Sequence, residues 1–278
     1  MQILLAEVYG FCFGVRRAIE LAEAARETGR EVNTLGPLVH NAQETLRLDA
    51  VGIHPVEQVA ELTGETVVVR AHGARPETFA ELKRRGLHVV DATCPFVKKS
   101  QRIAQRFARR GLTLVIIGRP HHPEVQGILG YLATPAHIIA HPDEVADLPA
   151  EIVPGVIAQT TMNEETFRQV VAALTARYPR CVVENTICLA THDRQDAARR
   201  LAAQVEAVYV IGGRHSSNTN RLMEVCRQAC PRTFLIETAE EVQPADLAGL
   251  ARVGITAGAS TPDWLIEQVI DRLRALDG

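Results

Sequence analysis

Short apolar runs alternate with amphipathic stretches along the whole chain. ILLAEV, VNTL, GIHPV, TVVV and VVDA read as strands in the first third, LTLVII, HIIA, GVIA and VVEN in the middle. AVYVI, TFLI and VGITA follow in the last third. The intervening segments carry apolar residues at helical spacing, as in residues 95–107, where Val97, Ile103, Ala104 and Phe107 share a face. Thr93 is the predicted N-cap of that helix, and Pro95 suits its first turn. Strands alternating with helices predict parallel sheet.

The pattern repeats three times. Strands ending near His40, His122 and Ser216 lie 28 residues after Cys12, Cys94 and Cys188 respectively. Each leads to a helix, a further strand and a related acidic piece: VEQVAEL, DEVADL and EEVQPADL. Another strand and another helix follow each time, and the first two of these helices lead into VVDATC and VVENTIC. The third reaches the C-terminus, so residues 1–12 supply its missing strand. The reading is three α/β units: 13–94, 95–188, and 189–278 closed by 1–12. A single doubly wound sheet would use the same elements, but the equal spacings favour three units around a shared centre.

Composition changes this picture little. The chain has 278 residues, 46% hydrophobic and 23% charged, which suits an ordinary globular protein with a sizeable core. A formal charge of −3 gives no basis for binding nucleic acid or anionic membranes. No apolar stretch approaches the roughly 18 residues of a membrane span. MQILLAEVYG lacks the basic start of a signal peptide. The expectation is a cytoplasmic protein whose six cysteines live in a reducing compartment, where metal binding or catalysis explains clustering better than disulfides.

Cys12, Cys94 and Cys188 each stand where a strand hands over to a helix N-terminus, a setting that favours a thiolate. Zinc sites usually draw on paired C-x₂₋₄-C cysteines, which these are not. Iron–sulfur clusters take thiolates, ordinarily four, so three would leave one iron open to a ligand. Cys181, Cys226 and Cys230 read as packing residues. Around the cysteines, corresponding strand ends carry His40, His122 and Ser216–Asn218, then His72, Gln159–Thr161 and Ser260. Histidines, hydroxyls and an asparagine at helix starts describe an oxyanion pocket of neutral donors. Glu124 is the one carboxylate set in this ring. Shielded from water it would hold a raised pKa and donate a proton; as an ordinary first-turn acid it would pair with the helix dipole. A cluster protein serving as redox carrier or sensor, and a zinc hydrolase, are the competing readings.

GFCFGV (10–15), LVHN (38–41), RAHG (70–73), DATCP (91–95), HPE (122–124), AQTT (158–161), TICLAT (186–191), SSNTNRL (216–222) and TAGASTPD (256–263) stand in this order. With them the chain resembles, from end to end, the 4-hydroxy-3-methylbut-2-enyl diphosphate reductases of the methylerythritol phosphate route to isoprenoids. The resemblance implies a trefoil of three α/β units around a [4Fe–4S] cluster on Cys12, Cys94 and Cys188. It implies a diphosphate held by His40, His72, His122, Ser216, Ser217, Asn218 and Ser260, with Glu124 as proton donor assisted by Thr160 and Gln159. The implied reaction removes the substrate hydroxyl as water, with electrons from a ferredoxin or flavodoxin. LATHDRQ departs from the family pattern, with His192-Asp193 where a more neutral pair is usual.

Overall fold

The computed structural model describes residues 1–277. The chain begins with β1 (Gln2–Leu5) and α1 (Phe13–Glu27), then β2 (Val32–Leu35), α2 (Ala42–Ala50) and β3 (Ile53–Val56). Next come β4 (Thr66–Val69), α3 (Pro76–Arg84), β5 (His88–Asp91), α4 (Pro95–Arg109) and β6 (Thr113–Ile117). After α5 (Pro123–Leu129) follow β7 (His137–Ile139), β8 (Pro154–Ala158), α6 (Glu164–Arg177) and β9 (Val182–Val183). The remainder is α7 (Leu189–Ala202), β10 (Ala207–Ile211), α8 (Ser217–Ala229), β11 (Thr233–Ile236), α9 (Pro244–Leu247), β12 (Arg252–Ala257) and α10 (Asp263–Asp277).

The strands form three four-stranded sheets, and every pairing is parallel. Their orders are β3-β2-β4-β5, β7-β6-β8-β9 and β11-β10-β12-β1. The order is the same each time: second strand at one edge, then first, third and fourth. In the last sheet the fourth strand comes from the N-terminus, with Gln2 opposite Arg252 and Leu5 opposite Ile255. The acidic pieces fold as short 3₁₀ turns at Val59–Glu61, Pro142–Asp147 and Ala239–Glu241.

The inner strands are buried on both faces, as helix-covered parallel sheets require. Val67, Val68 and Val69 of β4, Val156 and Ile157 of β8, and Val253 and Ile255 of β12 are essentially inaccessible. α4 packs Ile103, Ala104 and Phe107 against Leu114, Ile116 and Ile157. Removing the Phe107 ring would cost about 3–5 kcal/mol, transfer and cavity combined. Its start differs from expectation. The N-cap is Cys94, not Thr93, because Pro95 at the first helical position holds the residue before it extended. The Thr93 hydroxyl and amide donate instead to the Asp91 carboxylate.

By contacts the chain divides into two compact bodies. One contains Arg17–Gly36 and Gly52–Cys188, with the sheets of β2–β5 and β6–β9. The other contains Met1–Arg16, Pro37–Val51 and the residues from Leu189 on, with the sheet of β10–β12 and β1. The loop carrying His40 and the helix α2 thus pack with the last sheet, although the chain leaves them between β2 and β3. Two bonds spanning 220 residues tie them there: Trp264 Nε1 donates to Glu44 at 3.0 Å, and the Ser260 hydroxyl donates to the His40 carbonyl at 3.3 Å.

Candidate functional site

The three junction cysteines are held by one repeated device. The Cys12 amide donates to the Ala259 carbonyl at 3.0 Å, that of Cys94 to Ala71 at 2.9 Å, and that of Cys188 to Thr160 at 2.9 Å. Each acceptor lies two residues beyond the third strand of its sheet, so corresponding loops fix corresponding thiols. All three cysteines lie outside any disulfide and are half-buried, and the Val15 amide donates to Cys12 Sγ at 3.5 Å.

The other cysteines differ in kind. Cys226 is fully buried between α7 and α8, and burial, with the Cys230 thiol second, pushes its pKa up to about 12. Burial also raises Cys230 and Cys181, the latter packed on the core of the β6–β9 sheet. Thiols so disfavoured as thiolates are poor ligands. Among the described residues no three His, Cys, Asp or Glu side chains gather as ligands of one metal ion. A cluster makes a different demand, since each thiolate binds its own metal atom. A set of three sulfurs at equivalent junctions fits that chemistry.

In the body that contains Arg17–Gly36 and Gly52–Cys188, His122 caps α5, and its Nδ1 accepts the Glu124 amide at 3.2 Å. In the neutral ring this leaves the proton on Nε2. The His72 and His122 rings meet edge to face, 5.4 Å between centroids. Pro123 begins α5 and sets Glu124 one residue further, 1% exposed. The Thr160 amide donates to Glu124 Oε1 at 2.8 Å and the Thr160 hydroxyl to Oε2 at 2.6 Å. Burial nevertheless dominates and raises the Glu124 pKa to about 7, against the lowering pull of both Thr160 bonds. Glu124 is therefore a buried acid, not a solvated first-turn charge. Gln159, also buried, accepts from the Arg119 amide at 3.1 Å and donates to the Thr161 hydroxyl at 2.7 Å, so its amide clamps two loops.

In the other body, Ser216 caps α8 by accepting the Thr219 amide at 3.3 Å, with Ser217 and Asn218 in the first turn. Ser216, Asn218 and Ser260 are all buried. Gly213 lies directly beneath the His40 carbonyl, where any Cβ would overlap that oxygen. Two buried amide groups, Asn41 Nδ2 and Asn218 Nδ2, have no hydrogen-bond partner among the described residues. Leaving such donors unpaired costs roughly 1–3 kcal/mol each, which suits a pocket meant for an acceptor-rich ligand.

Asn41 and Glu44 were not singled out by sequence reasoning. Asn41 Oδ1 accepts the Glu44 amide at 2.9 Å, and Glu44, 1% exposed, is held by Arg47 and Trp264. The N-x-x-E pattern of NAQE resembles a capping box and could have flagged the pair.

These features define a class: a three-sheet α/β protein with a thiol at the same strand–helix junction of each sheet, and a buried carboxyl group and polar hydrogen-bonding side chains on loops that follow strands. The model of the LytB protein family matches residues 3–274, and the chain belongs to that family. It is 46% identical over 278 residues to the 4-hydroxy-3-methylbut-2-enyl diphosphate reductase of Geobacter sp. (strain M21), covering 100% of this chain and 98% of that one. The Aquifex aeolicus (strain VF5) protein of the same name is 42% identical, covering 99% and 97%. Among solved structures, (E)-4-hydroxy-3-methyl-but-2-enyl diphosphate reductase, the terminal enzyme of the non-mevalonate pathway, aligns with TM-score 0.75 and 43% identity over 99% of this chain and 100% of its own. The Plasmodium falciparum E-1-hydroxy-2-methyl-but-2-enyl-4-diphosphate reductase aligns with TM-score 0.91 and 25% identity, covering 97% and 87%. Among the described residues no helix is long and apolar enough to cross a membrane.

Proposed function

We propose that this chain catalyses the reductive dehydroxylation of 4-hydroxy-3-methylbut-2-enyl diphosphate to isopentenyl and dimethylallyl diphosphate, the last step of the non-mevalonate route. Two electrons and two protons enter, the C–O bond breaks, and the oxygen leaves as water. Cys12, Cys94 and Cys188 would hold a [4Fe–4S] cluster, which when bound supplies electrons and a Lewis-acid iron open to the substrate oxygen. The protein's own part is binding and proton control. His40, His72, His122, Ser216, Ser217, Asn218 and Ser260 hold the diphosphate through neutral donors and the α8 N-terminus. Glu124 delivers the proton to the leaving hydroxyl. Its pKa near 7 lets it carry that proton at neutral pH and give it up to a developing hydroxide. Thr160 orients the carboxyl by two bonds, and Gln159 keeps the Thr160 loop in place.

The observation that carries this reading is the chain of contacts from acid to thiol. Glu124 is fixed by Thr160, whose carbonyl in turn accepts the Cys188 amide. A carrier or sensor has no use for a buried proton donor wired to a cluster ligand. Electrons would come from a ferredoxin or flavodoxin in the cytoplasm. The test is anaerobic turnover of the prenyl diphosphate with a chemical reductant. Formation of both five-carbon products supports the proposal, and an iron-loaded but inert protein contradicts it.

A further inference from the structure

The three sheets share one kind of crevice. In each sheet the chain reverses its direction of winding between the first and third strands, the place where parallel α/β sheets bind ligands. Gly36, Gly118 and Gly212 follow the first strands, and Arg70, Gln159 and Gly258 follow the third. In all three sheets a side chain reaches over the glycine that follows the first strand: Gln159 lies 3.0 Å from where a Cβ of Gly118 would sit, and the Arg70 guanidinium closes over Gly36. In the sheet of β10–β12 and β1, the hydroxyls of Thr219 and Thr261 crowd Gly212. Beside Arg70, at the ends of β2 and β4, lies a cavity of about 250 Å³.

This cavity shares no residue with the site proposed above. Leu35, Val59 and Val69 give it an apolar wall, and Arg70, Arg75 and Thr78 a polar one. The Arg70 guanidinium lies across the end of β2, over the space that a Cβ of Gly36 would need. Arg75, exposed at the N-cap of α3, donates to Gln126, and both line the same cavity. Glu57 is the one carboxylate on the lining, against two guanidiniums. Burial lowers the Arg70 pKa and Glu57 offsets this only in part, which is the state of a cation short of counter-charge. At this volume, below the roughly 300–1,000 Å³ of drug-sized pockets, the ligand is small.

We infer that the crevice between β2 and β4 is a second anion site, which takes the phosphoryl group of a small metabolite between Arg70 and Arg75. Guanidinium forks match phosphate oxygens in geometry as well as charge. Arg70 and Gly73 belong to the loop that carries His72, so occupancy at the back of the loop is set to alter how His72 meets His122. The cavity stands independently of the proposed reaction.

The test is hydrogen–deuterium exchange of the anaerobically purified full chain with inorganic phosphate, inorganic diphosphate, isopentenyl diphosphate or acetate. Phosphoryl ligands should slow exchange at least twofold in residues 57–62 and 75–80. The protection should vanish in Arg70→Gln and Arg75→Gln, with turnover of Arg75→Gln within twofold of the parent. Arg75 is exposed, so this variant keeps the test open if Arg70→Gln fails to fold. Protection by inorganic diphosphate as strong as by isopentenyl diphosphate identifies the phosphoryl group alone as the feature bound. Protection by isopentenyl diphosphate only adds the apolar wall. No protection by any phosphoryl ligand, equal protection by acetate, or unchanged protection in Arg75→Gln overturns the inference.

Discussion

Thr160 gives both its amide and its hydroxyl to the two oxygens of Glu124, at 2.8 and 2.6 Å, inside a site where the carboxyl is 1% exposed. The contact joins positions 36 residues apart and combines opposing effects on one group. Burial favours the neutral acid and the hydrogen bonds favour the carboxylate; burial wins, leaving the group poised near pH 7.

Glu124→Gln should keep any bound iron while cutting turnover by roughly 10²–10⁴, the usual worth of a positioned proton donor. Stability supplies a second readout. The folded pKa of about 7 lies above the ordinary 4.5, so the native state binds more protons between those values. Stability is therefore full below about pH 4.5 and falls as pH rises through 7, by at most about 3 kcal/mol. Denaturant unfolding across this range should show the fall in the parent protein and not in Glu124→Gln.

Thr160→Val deletes the hydroxyl bond and keeps the amide bond. Since the hydroxyl lowers the Glu124 pKa, its loss should move that pKa upward. The limb of the pH–rate profile governed by Glu124 should shift to higher pH, with turnover down about tenfold. An unmoved limb would show that the rate does not report on this carboxyl.

Gly213→Ala would push a methyl group into the His40 carbonyl. Overlap with backbone cannot be relieved by turning a side chain, so a loss of about 1–3 kcal/mol is expected in thermal unfolding. Because the loop carries His40, KM for the diphosphate should rise more than kcat falls.

Trp264→Phe removes the indole donor from Glu44 and leaves that buried carboxylate to Arg47. A hydrogen bond to a charged group contributes roughly 1.5–3 kcal/mol, so the urea midpoint should fall accordingly.

Much of this was legible in the chain because the fold repeats. The 28-residue interval from each junction cysteine to its histidine or serine predicted three α/β units of parallel sheet, and the strand endings marked Thr160, which holds the Cys188 amide, though not Ala71 or Ala259. What escaped was decided by contacts far apart in sequence. Nothing local in NAQETLRLDA announces that Glu44 meets Trp264, so the packing of Pro37–Val51 with the last sheet could not be read from the chain. Thr93 failed as the predicted N-cap because Pro95 begins the helix and so puts Cys94, the residue before it, at the cap. The cavity beside Arg70 is lined by stretches at 35–36, 57–59, 69–78 and 123–127, which no local pattern brings together.

The central claim, a cluster on three thiols with one iron free for substrate, is tested most directly on protein purified without oxygen. Iron and sulfide should be counted, and the Mössbauer spectrum recorded with and without 4-hydroxy-3-methylbut-2-enyl diphosphate, for the parent and for Cys188→Ser and Cys181→Ser. The account predicts about four irons per chain, one of them distinct and shifted by the substrate. Iron should be lost in Cys188→Ser and kept in Cys181→Ser. A cluster whose irons are indistinguishable and indifferent to the ligand, or one that survives Cys188→Ser, would contradict it.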